Sequence, residues 1–489
     1  MKYKNYYLLA LRLVITLCLG LSFFNYWQSQ EYLAPNNDKA YYLSVAEGLD
    51  KTGKLEDRTL HPHETVRSTQ NGTIFVYTLF RQFTTNNETL ALLGSLSGFL
   101  LLVMSIIVAY KLAISLGFSE LIAHLIVFMI VFNASYVNFS YMGMTESFFY
   151  PLSLFWAYYH LKFIDISKSP NRYTWAAFIL LSYLLIQFRV QGLLLFAASF
   201  LLFSLKGNWK RVLQVSTIYV VTLVFMLGLF YSLSGSVLGP GETGHLSNIT
   251  KARSNWIIEL IEFIQIYTTN LVSPYDTIKG LFLIFVSLPI FAFVFVGGIG
   301  RMLNKNIESH VLLYLIFAIS ITALWLFKPG MSLRYVYYTY PFFIILFFKY
   351  VLSIDSKTVR YSFLGLFLLA IINLGYIFYI KQIEKEYMGK QMIAERVNQH
   401  YVLKNLYSKY EPNLIYMSDK YGYHRRLVYT PTSQPVETRQ DTNQIVPYSF
   451  VIGDTSYLSK ISSSSKIDST RKIGQFIYDG TQHKVYLIK

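Results

Sequence analysis

The feature that most constrains this chain is a series of apolar runs, each close to the length that crosses a lipid bilayer. A transmembrane helix needs about 20 predominantly apolar residues, and about eleven such runs, some of them shorter, precede residue 381. They are Tyr6–Phe24, Leu90–Tyr110, Leu121–Phe139, Ser147–Ile164, Tyr173–Phe188, Gly192–Leu205, Val212–Leu233, Ile278–Gly297, Val311–Phe327, Val336–Leu352 and Tyr361–Ile380. The fifth and sixth runs also fit one long buried helix that breaks at residues 189–192. The pattern predicts an α-helical polytopic membrane protein with about eleven transmembrane helices.

The composition excludes the other broad classes of protein. Of the 489 residues, 53% are hydrophobic and only 14% are charged, whereas a soluble domain carries roughly 25% charged residues. Aromatic residues make up 17% of the chain, and disordered chains lack them. The single cysteine, Cys18, excludes an intramolecular disulfide and a cysteine-based metal site.

The distribution of positive charge predicts the orientation of the chain. With the N-terminus placed inside, the short outer loops hold only Arg189, Lys328 and Arg334. The inner loops hold Lys111, Lys162, Lys168, Arg172, Lys206, Lys210, Arg211, Arg301, Lys305, Lys349, Lys357 and Arg360. This bias matches the positive-inside rule. The net charge of +16 therefore reflects a cytoplasmic N-terminus rather than a nucleic-acid partner, and an odd number of spans puts the C-terminus outside.

The domain organisation follows from the same pattern. Residues 1–380 are expected to form the transmembrane domain, with a first outer loop at 25–88 that carries interfacial helices and a later outer loop at 235–277. Residues 381–489 change sharply in composition and predict a small, soluble, extracytoplasmic α/β domain. Asp479-Gly480 is a hairpin signal between its last two strands. Its predicted strands are Leu414–Met417, Leu427–Tyr429, Ser449–Ile452, Gln475–Tyr478 and Val485–Ile488.

Two carboxylates on the predicted outer side are candidates for chemistry. Asp38 follows the helix-capping pair Asn36 and Asn37 and opens an amphipathic helix, where the helix dipole favours a carboxylate. Glu146 opens the helix that begins after a short outer loop, and a carboxylate at the membrane edge is costly unless it is paired or solvated. In the alternative interpretation, each acid only caps or stabilises its helix.

Arg189 and Arg334 lie at outer ends of spans, against the positive-inside bias. Each precedes a helix that runs inward. Arginine combined with the free N–H groups of a helix N-terminus provides a binding site for phosphate, and Lys328 can add to it. The alternative is that these side chains extend to lipid headgroups.

A polar cluster in the first outer loop contains His61, His63, Glu64 and Arg67. One His-Pro-His-Glu segment is a weak signal for a divalent metal, and an ordinary polar loop explains it as well. No Gly-rich phosphate loop is present. No cofactor is predicted with certainty, and a divalent metal is the one option that the residues leave open.

Four segments in a fixed order resemble a known family. They are NNDKAYYLSVAEGLDKTG, which starts at Asn36, GMTESFF, which starts at Gly143, QFRVQGLLL, which starts at Gln187, and LRYVYYTYPFF, which starts at Leu333. Together they resemble the GT-C superfamily of integral membrane glycosyltransferases. The nearest branch is the bacterial relatives of protein O-mannosyltransferases and lipid A aminoarabinose transferases.

The resemblance implies a bacterial inner-membrane enzyme that transfers sugar from a polyprenyl-phosphate donor. The acceptor would be a glycan, lipid or protein, attacked on the outer face with inversion. Asp38 would be the general base, and Glu146 would assist acceptor binding. The implied substrate-binding residues are Arg189, Arg334, Lys328, Arg67, His63 and Tyr335. The chain departs from the family pattern at Asp38-Lys39, where many relatives have Asp-Glu, and in the usual Lys-Pro-Pro-like segment, whose region holds Asn71-Gly72.

Two alternatives remain open at this point. A transporter or flippase of lipid-linked sugars needs polar or charged residues at mid-membrane, whereas most charges here lie near the ends of the runs. A polysaccharide polymerase or ligase typically places its large outer loop late in the chain. The segment at 235–277 is compatible with that class.

Overall fold

The computed structural model describes residues 2–30, 32, 37–57, 64–65, 71–165, 170–235, 264, 267, 286–303, 308, 310–327, 333–376, 395, 397–399, 401–406, 408–410, 414–417, 437–439, 450–453, 470–478 and 481–488. The chain divides into two compact units. The helical unit comprises Met1–Ser22, Gly98–Leu229 and Pro240–Lys381, and the mixed unit comprises Phe23–Ser97, Phe230–Gly239 and Gln382–Lys489. One division falls at Lys381, where the sequence predicts the start of the soluble domain. The predicted domain limits themselves stay a prediction.

Helices make up most of the described structure. They are α1 (Lys2–Gln28), α2 (Asn37–Thr52), α3 (Gly72–Arg81), α4 (Asn87–Ser115), α5 (Glu120–Phe132), α6 (Ala134–Tyr141), α7 (Thr145–Tyr159), α8 (Arg172–Phe188), α9 (Gly192–Leu205), α10 (Trp209–Ser234), α11 (Leu288–Met302), α12 (Val311–Phe327), α13 (Tyr340–Leu352) and α14 (Lys357–Tyr376). Among the described residues, α1, α4 and α10 are long and apolar enough to cross a membrane, and the bent pair of α5 and α6 makes four when it counts as one span. The count of about eleven spans stays a prediction.

The break between α5 and α6 interrupts a run that the sequence predicts as one span, Leu121–Phe139. The two helices are bent by 72°. Asn133 at the break has extended backbone angles, and its side-chain oxygen accepts a hydrogen bond from the Tyr136 N–H at 3.0 Å. Asparagine is a favoured N-cap, so this single residue ends one helix and starts the next within an otherwise apolar run.

The α8–α9 region forms two helices rather than one long helix. Gly192 begins α9 directly against α8, and a Cβ atom at this position would lie 2.9 Å from the Leu185 carbonyl carbon. Glycine therefore permits a tight turn between the helices, and Arg189 lies in that turn. Trp156 Nε1 on α7 donates to the Ser182 hydroxyl on α8 at 2.9 Å. His160, which directly follows α7, has its Nε2 atom 2.7 Å from the Ser199 hydroxyl on α9.

In the mixed unit, α2 and α3 pack over a small apolar core. The Asp50 carboxylate near the end of α2 accepts hydrogen bonds from Arg81 Nε at 3.2 Å and from Gln82 at 3.0 Å, which fixes the C-terminal ends of α2 and α3 together. The core is Tyr41, Leu43, Val45, Ala46, Leu55, Ile74, Tyr77, Leu90, Ala91 and Phe230. Helix α2 is thus held in place by packing on one face and by an ion pair at its far end.

The C-terminal part of the mixed unit contains a five-stranded sheet. Its strands are β3 (Leu414–Met417), β4 (Glu437–Arg439), β5 (Phe450–Gly453), β6 (Thr470–Tyr478) and β7 (Thr481–Ile488), in the spatial order β4-β3-β5-β7-β6. Helical residue Leu403 packs with Phe450 and Val485 in one core. Strands β6 and β7 pair antiparallel with Tyr478 opposite Thr481, as the hairpin signal predicts. The predicted strand Leu427–Tyr429 and the residues Asp479-Gly480 lie outside the described residues. A second, two-stranded pairing joins β1 (Glu56–Asp57) to β2 (Glu64–Thr65).

Gly98 gives a direct test of the packing around α7. A Cβ atom added at Gly98 would lie 2.8 Å from the Ser140 carbonyl oxygen and 2.9 Å from Ser147 Cβ. We expect Gly98→Ala to lower stability by about 1–3 kcal/mol through overpacking, measured as the thermal unfolding midpoint in detergent. Gly228→Ala is the matched control because nothing lies within 4 Å of the added atom. Equal midpoints for the two variants would contradict the packing described here.

Candidate active site

The candidate site is built on the first turn of α7. Glu146 is the second residue of this helix and is 1% exposed. The preceding loop is fixed by Ser147, whose hydroxyl accepts the N–H groups of Gly143 at 2.9 Å and Met144 at 3.2 Å and donates to the Phe139 carbonyl at 3.0 Å. Gly143 has a φ angle of +72°, which glycine adopts without strain. The loop therefore sets the direction in which α7 begins and hence the position of Glu146.

Two guanidinium groups converge on the Glu146 carboxylate. Arg189 Nη1 lies 2.5 Å from Glu146 Oε1, and Arg334 Nε lies 3.5 Å from the same oxygen. The other carboxylate oxygen accepts the Thr145 hydroxyl at 2.9 Å. Arg189 Nε also donates to the side-chain oxygen of Gln191 at 3.2 Å. We refer to Glu146, Arg189 and Arg334 as the Glu146 cluster.

An aromatic side chain packs against both arginines. The Tyr335 ring centroid lies 4.3 Å from the Arg189 guanidinium carbon and 5.3 Å from that of Arg334, which is cation–π geometry. Tyr150 donates a hydrogen bond from its hydroxyl to the Arg334 carbonyl. Because Glu146 and Tyr150 are four residues apart on α7, they share one helix face, and that face holds both the side chain and the backbone of Arg334.

Electrostatics keep the Glu146 carboxylate ionised. Its two guanidinium partners and the carboxylate itself all belong to the helical unit. Burial alone would raise the pKa of the Glu146 carboxyl, which lies just before the predicted span Ser147–Ile164. The guanidinium groups of Arg189 and Arg334 outweigh that effect and hold this pKa below its ordinary value. At neutral pH the cluster therefore contains two guanidinium groups around one ionised carboxylate.

This geometry determines what the cluster can do chemically. A buried, ionised carboxylate between two guanidinium groups is a poor proton acceptor, because the neighbouring cations favour its charged form. It is well suited to hold the guanidinium groups in place. The Arg334 side chain is 22% exposed, compared with 7% for Arg189, so Arg334 is the more accessible of the two guanidinium groups. The predicted role of Glu146 in acceptor binding stays a prediction.

Of the other predicted site residues, one lies in the mixed unit and the rest lie outside the described residues. Asp38 is in the first turn of α2 and is partly exposed, and it belongs to the mixed unit. Its predicted role as general base stays a prediction. Lys328, Arg67 and His63 lie outside the described residues. So does His61, on which the metal interpretation depends. Within the described part of the chain, no group of three or more His, Cys, Asp or Glu side chains is arranged to hold a metal ion.

Three contributors to this site are not among the residues predicted from the sequence. Tyr150, Thr145 and Gln191 contact the Glu146 cluster through hydrogen bonds. The spacing of Tyr150 from Glu146, four residues on one helix, is the one sequence signal for that residue. The sequence places Glu146, Arg189 and Arg334 on the same predicted side of the membrane, but it does not predict the ion pairs between them.

Comparison with known proteins gives a clear answer at the level of fold. No family model matches the chain, and no curated protein matches its sequence. Two solved structures of ArnT from Cupriavidus metallidurans are similar to it. The apo structure has a TM-score of 0.55 and 11% identity, and the match covers 99% of this chain and 98% of that one. The structure of ArnT bound to undecaprenyl phosphate also has a TM-score of 0.55 and 11% identity, over 96% of this chain and 97% of that one.

The match spans nearly the whole length of both proteins, so it includes the transmembrane helices and the C-terminal sheet region together. At 11% identity it concerns the fold and not individual residues. The chain therefore has the fold of ArnT, an aminoarabinose transferase of the GT-C superfamily, and the resemblance identified from its sequence is confirmed at that level.

Proposed function

We propose that this protein transfers a sugar from a polyprenyl-phosphate donor to an acceptor hydroxyl on the outer face of a bacterial inner membrane. The observation that carries the proposal is the Glu146 cluster, in which two guanidinium groups, that of Arg334 partly exposed, converge on one carboxylate. The fold supports it, because a solved ArnT structure contains bound undecaprenyl phosphate. Sugar donors with a lipid phosphate also account for the absence of soluble-nucleotide motifs in the sequence.

The proposed reaction is a single displacement. The acceptor oxygen forms a bond to the anomeric carbon from one face, and the bond from that carbon to the phosphate oxygen breaks on the other face. Asp38 accepts the proton of the acceptor hydroxyl, since a neutral hydroxyl is a poor nucleophile. Polyprenyl phosphate departs with the electron pair of the broken bond. The configuration at the anomeric carbon inverts.

The Glu146 cluster suits the charge change of this reaction. A sugar phosphodiester carries one negative charge, and the departing polyprenyl phosphate carries up to two. Guanidinium groups held in place by Glu146 and Tyr335 therefore interact more strongly with the leaving group than with the donor. Interactions that strengthen towards the transition state are the ones that accelerate a reaction. In this account Arg334 and Arg189 bind the phosphate, and Glu146 keeps them oriented.

The proposed topology has about eleven spans, with the N-terminus in the cytoplasm and residues 381–489 outside. In this proposal, residues 381–489 form an α/β domain that covers or selects the acceptor. The acceptor is a glycan, a lipid or a protein. Lys328, Arg67 and His63 are further candidates for substrate contacts in the outer loops.

The test is an activity assay on the full-length protein in lipid nanodiscs. Synthetic polyprenyl-phosphate sugars are supplied together with a cell-envelope acceptor fraction, and release of polyprenyl phosphate is followed by mass spectrometry. We expect release of polyprenyl phosphate from the lipid-phosphate donors. With nucleotide sugars, for which the released nucleoside phosphate is measured instead, we expect no transfer. Sugar transfer from nucleotide sugars alone would contradict the proposal. Movement of the labelled carrier lipid between leaflets of vesicles, without any sugar transfer, would contradict it in favour of a transporter.

A further inference from the structure

A buried ammonium group lies directly beside the proposed base. Lys39 follows Asp38 in the first turn of α2 and is 3% exposed. A cation in the first turn of a helix opposes the helix dipole, and burial of a charged group is costly unless it is hydrogen-bonded. A solvent-exposed lysine near the C-terminal end of a helix would incur neither of these two costs. The contacts of Lys39 therefore need a specific explanation.

A hydrogen bond to a serine connects Lys39 to α4. Its Nζ atom donates to Ser95 Oγ on α4 at 3.2 Å. Ser95 is fully buried and donates its own proton to the Ala91 carbonyl at 3.1 Å. The Tyr26 hydroxyl on α1 lies 3.0 Å from Ser95 Oγ. The Lys39 ammonium can only donate, and the Ser95 hydroxyl already donates its proton to the Ala91 carbonyl. The Tyr26 hydroxyl is therefore the donor in its contact with the serine oxygen.

These three side chains join three helices of the mixed unit. Tyr26 is near the end of α1, Lys39 is in the first turn of α2, and Ser95 is in the first third of α4. All three are at least nine-tenths buried. Next to Ser95, Gly94 leaves room for the Tyr77 hydroxyl, which would lie 2.2 Å from an added Cβ atom. The serine therefore sits where α3 and α4 pack closely, and it has little freedom to move.

From this arrangement we propose that Lys39 is a positioning residue, which fixes the first turn of α2 through Ser95 and Tyr26 and thereby orients Asp38. The inference rests on the proposed function, in which Asp38 takes the acceptor proton. The far end of α2 is fixed by Asp50 with Arg81, and its middle is fixed by apolar packing. The Lys39 network supplies the anchor at the end where the base lies. It gives the lysine at this position, where many relatives have a second acid, a defined role.

The first test separates orientation from binding. Lys39→Met keeps an unbranched apolar stem but removes the ammonium donors. We expect kcat to fall about 10- to 100-fold, as misplacement of a reacting group by about 1 Å does. The donor KM should stay within about twofold of wild type, because misplacement of the base does not change the groups that bind the donor phosphate. Lys39→Arg retains a charged donor and should recover several-fold of the lost kcat. An unchanged kcat in Lys39→Met, or no recovery in Lys39→Arg, would overturn the proposal.

Milder variants test the network without removing the charge. Ser95→Ala and Tyr26→Phe each remove a single hydroxyl, and each should lower kcat less than Lys39→Met does. Residues that act through one another show non-additive effects, so the double variant Lys39→Met with Ser95→Ala should be no slower than Lys39→Met alone. Effects that multiply in the double variant would show that the two residues act independently, and the proposal would fail.

A measurement independent of catalysis distinguishes this proposal from the function on which it rests. A nitroxide is attached at position 38 through Asp38→Cys in a Cys18→Ala protein, and its mobility is read by electron paramagnetic resonance. Addition of Lys39→Met should make the label more mobile. The matched control is Lys54→Met, at an exposed lysine just after the C-terminal end of α2. It should leave both the label mobility and kcat of otherwise native protein unchanged. Equal mobility with and without Lys39 would overturn the proposal even if sugar transfer is demonstrated.

Discussion

Asp38→Asn protein that is inserted and folded like wild type is expected to lose about 10²- to 10⁴-fold in kcat, the usual contribution of a positioned general base. The amide has nearly the shape of the carboxylate but cannot accept the acceptor proton. The substitution leaves the apolar core around α2 unchanged, since Asp38 is not part of it. Donor affinity should therefore stay close to that of wild type. Single-turnover sugar transfer in nanodiscs measures the effect, with polyprenyl phosphate as the detected product.

Asp355→Asn is the matched control for this variant. Asp355 is exposed and lies between α13 and α14, so the same chemical change there affects neither α2 nor the Glu146 cluster. We expect this control to keep its kcat within about twofold, as substitutions outside the reacting groups usually do. Wild-type turnover in Asp38→Asn would remove Asp38 as the base and would leave the phosphate-binding part of the proposal standing.

The second large effect is expected from Glu146→Gln. The substitution keeps the shape of the side chain but leaves the buried Arg189 guanidinium without its counter-charge. Removal of one partner of a buried ion pair typically costs about 3–5 kcal/mol, so the thermal unfolding midpoint in detergent should fall clearly. We also expect kcat to fall, because the arginines are no longer held. The donor KM should not rise, since both guanidinium groups remain and the substitution removes a negative charge beside them.

A paired replacement separates the structural role of Glu146 from its chemical role. Glu146→Leu combined with Arg189→Met removes both charges, and apolar replacement of a buried pair is often neutral for stability. This variant should recover most of the lost stability but not the activity. If Glu146 instead contacted the acceptor directly, Glu146→Gln would raise the acceptor KM and leave the unfolding midpoint nearly unchanged.

The difference in stability between wild type and Glu146→Gln should depend on pH in a defined direction. The pKa of Glu146 is lowered in the folded protein, by the two arginines against the opposing effect of burial. Its contribution to stability is therefore fully present above the pKa of an unfolded glutamate, about 4.3, and is lost as pH falls through the lower folded value. The midpoint difference between wild type and Glu146→Gln should be constant from about pH 5 to 8 and shrink below about pH 4.

Much of the fold was predictable because the bilayer imposes strict rules on sequence. The apolar runs located most helices of residues 1–380, and the run Val311–Phe327 coincides with α12. The break at Asn133 was not predicted, because one polar residue does not interrupt an apolar run when only its length is considered. Its effect comes from local backbone geometry and a side-chain cap, which hydropathy does not measure.

The candidate site was predictable in its members but not in its contacts. Arg189 and Arg334 were singled out because outer arginines oppose the positive-inside bias. Their convergence on Glu146 depends on the packing of helices that are distant in the chain, which spacing cannot show. Tyr150 was missed because the chain contains 41 tyrosines, so that its spacing from Glu146 alone does not distinguish it from the others. The burial of Lys39 could not be foreseen either, since its partner Ser95 is an ordinary serine within a transmembrane run.

A structure of the full-length protein in nanodiscs with bound polyprenyl phosphate locates the donor phosphate directly. We expect phosphate density in contact with the guanidinium groups of Arg334 and Arg189, with the Glu146–Arg189 pair retained. We also expect Arg334→Met to abolish this density while the protein stays folded. Phosphate density elsewhere, without contact to either arginine, would contradict the assignment of the Glu146 cluster as the site that binds the donor phosphate.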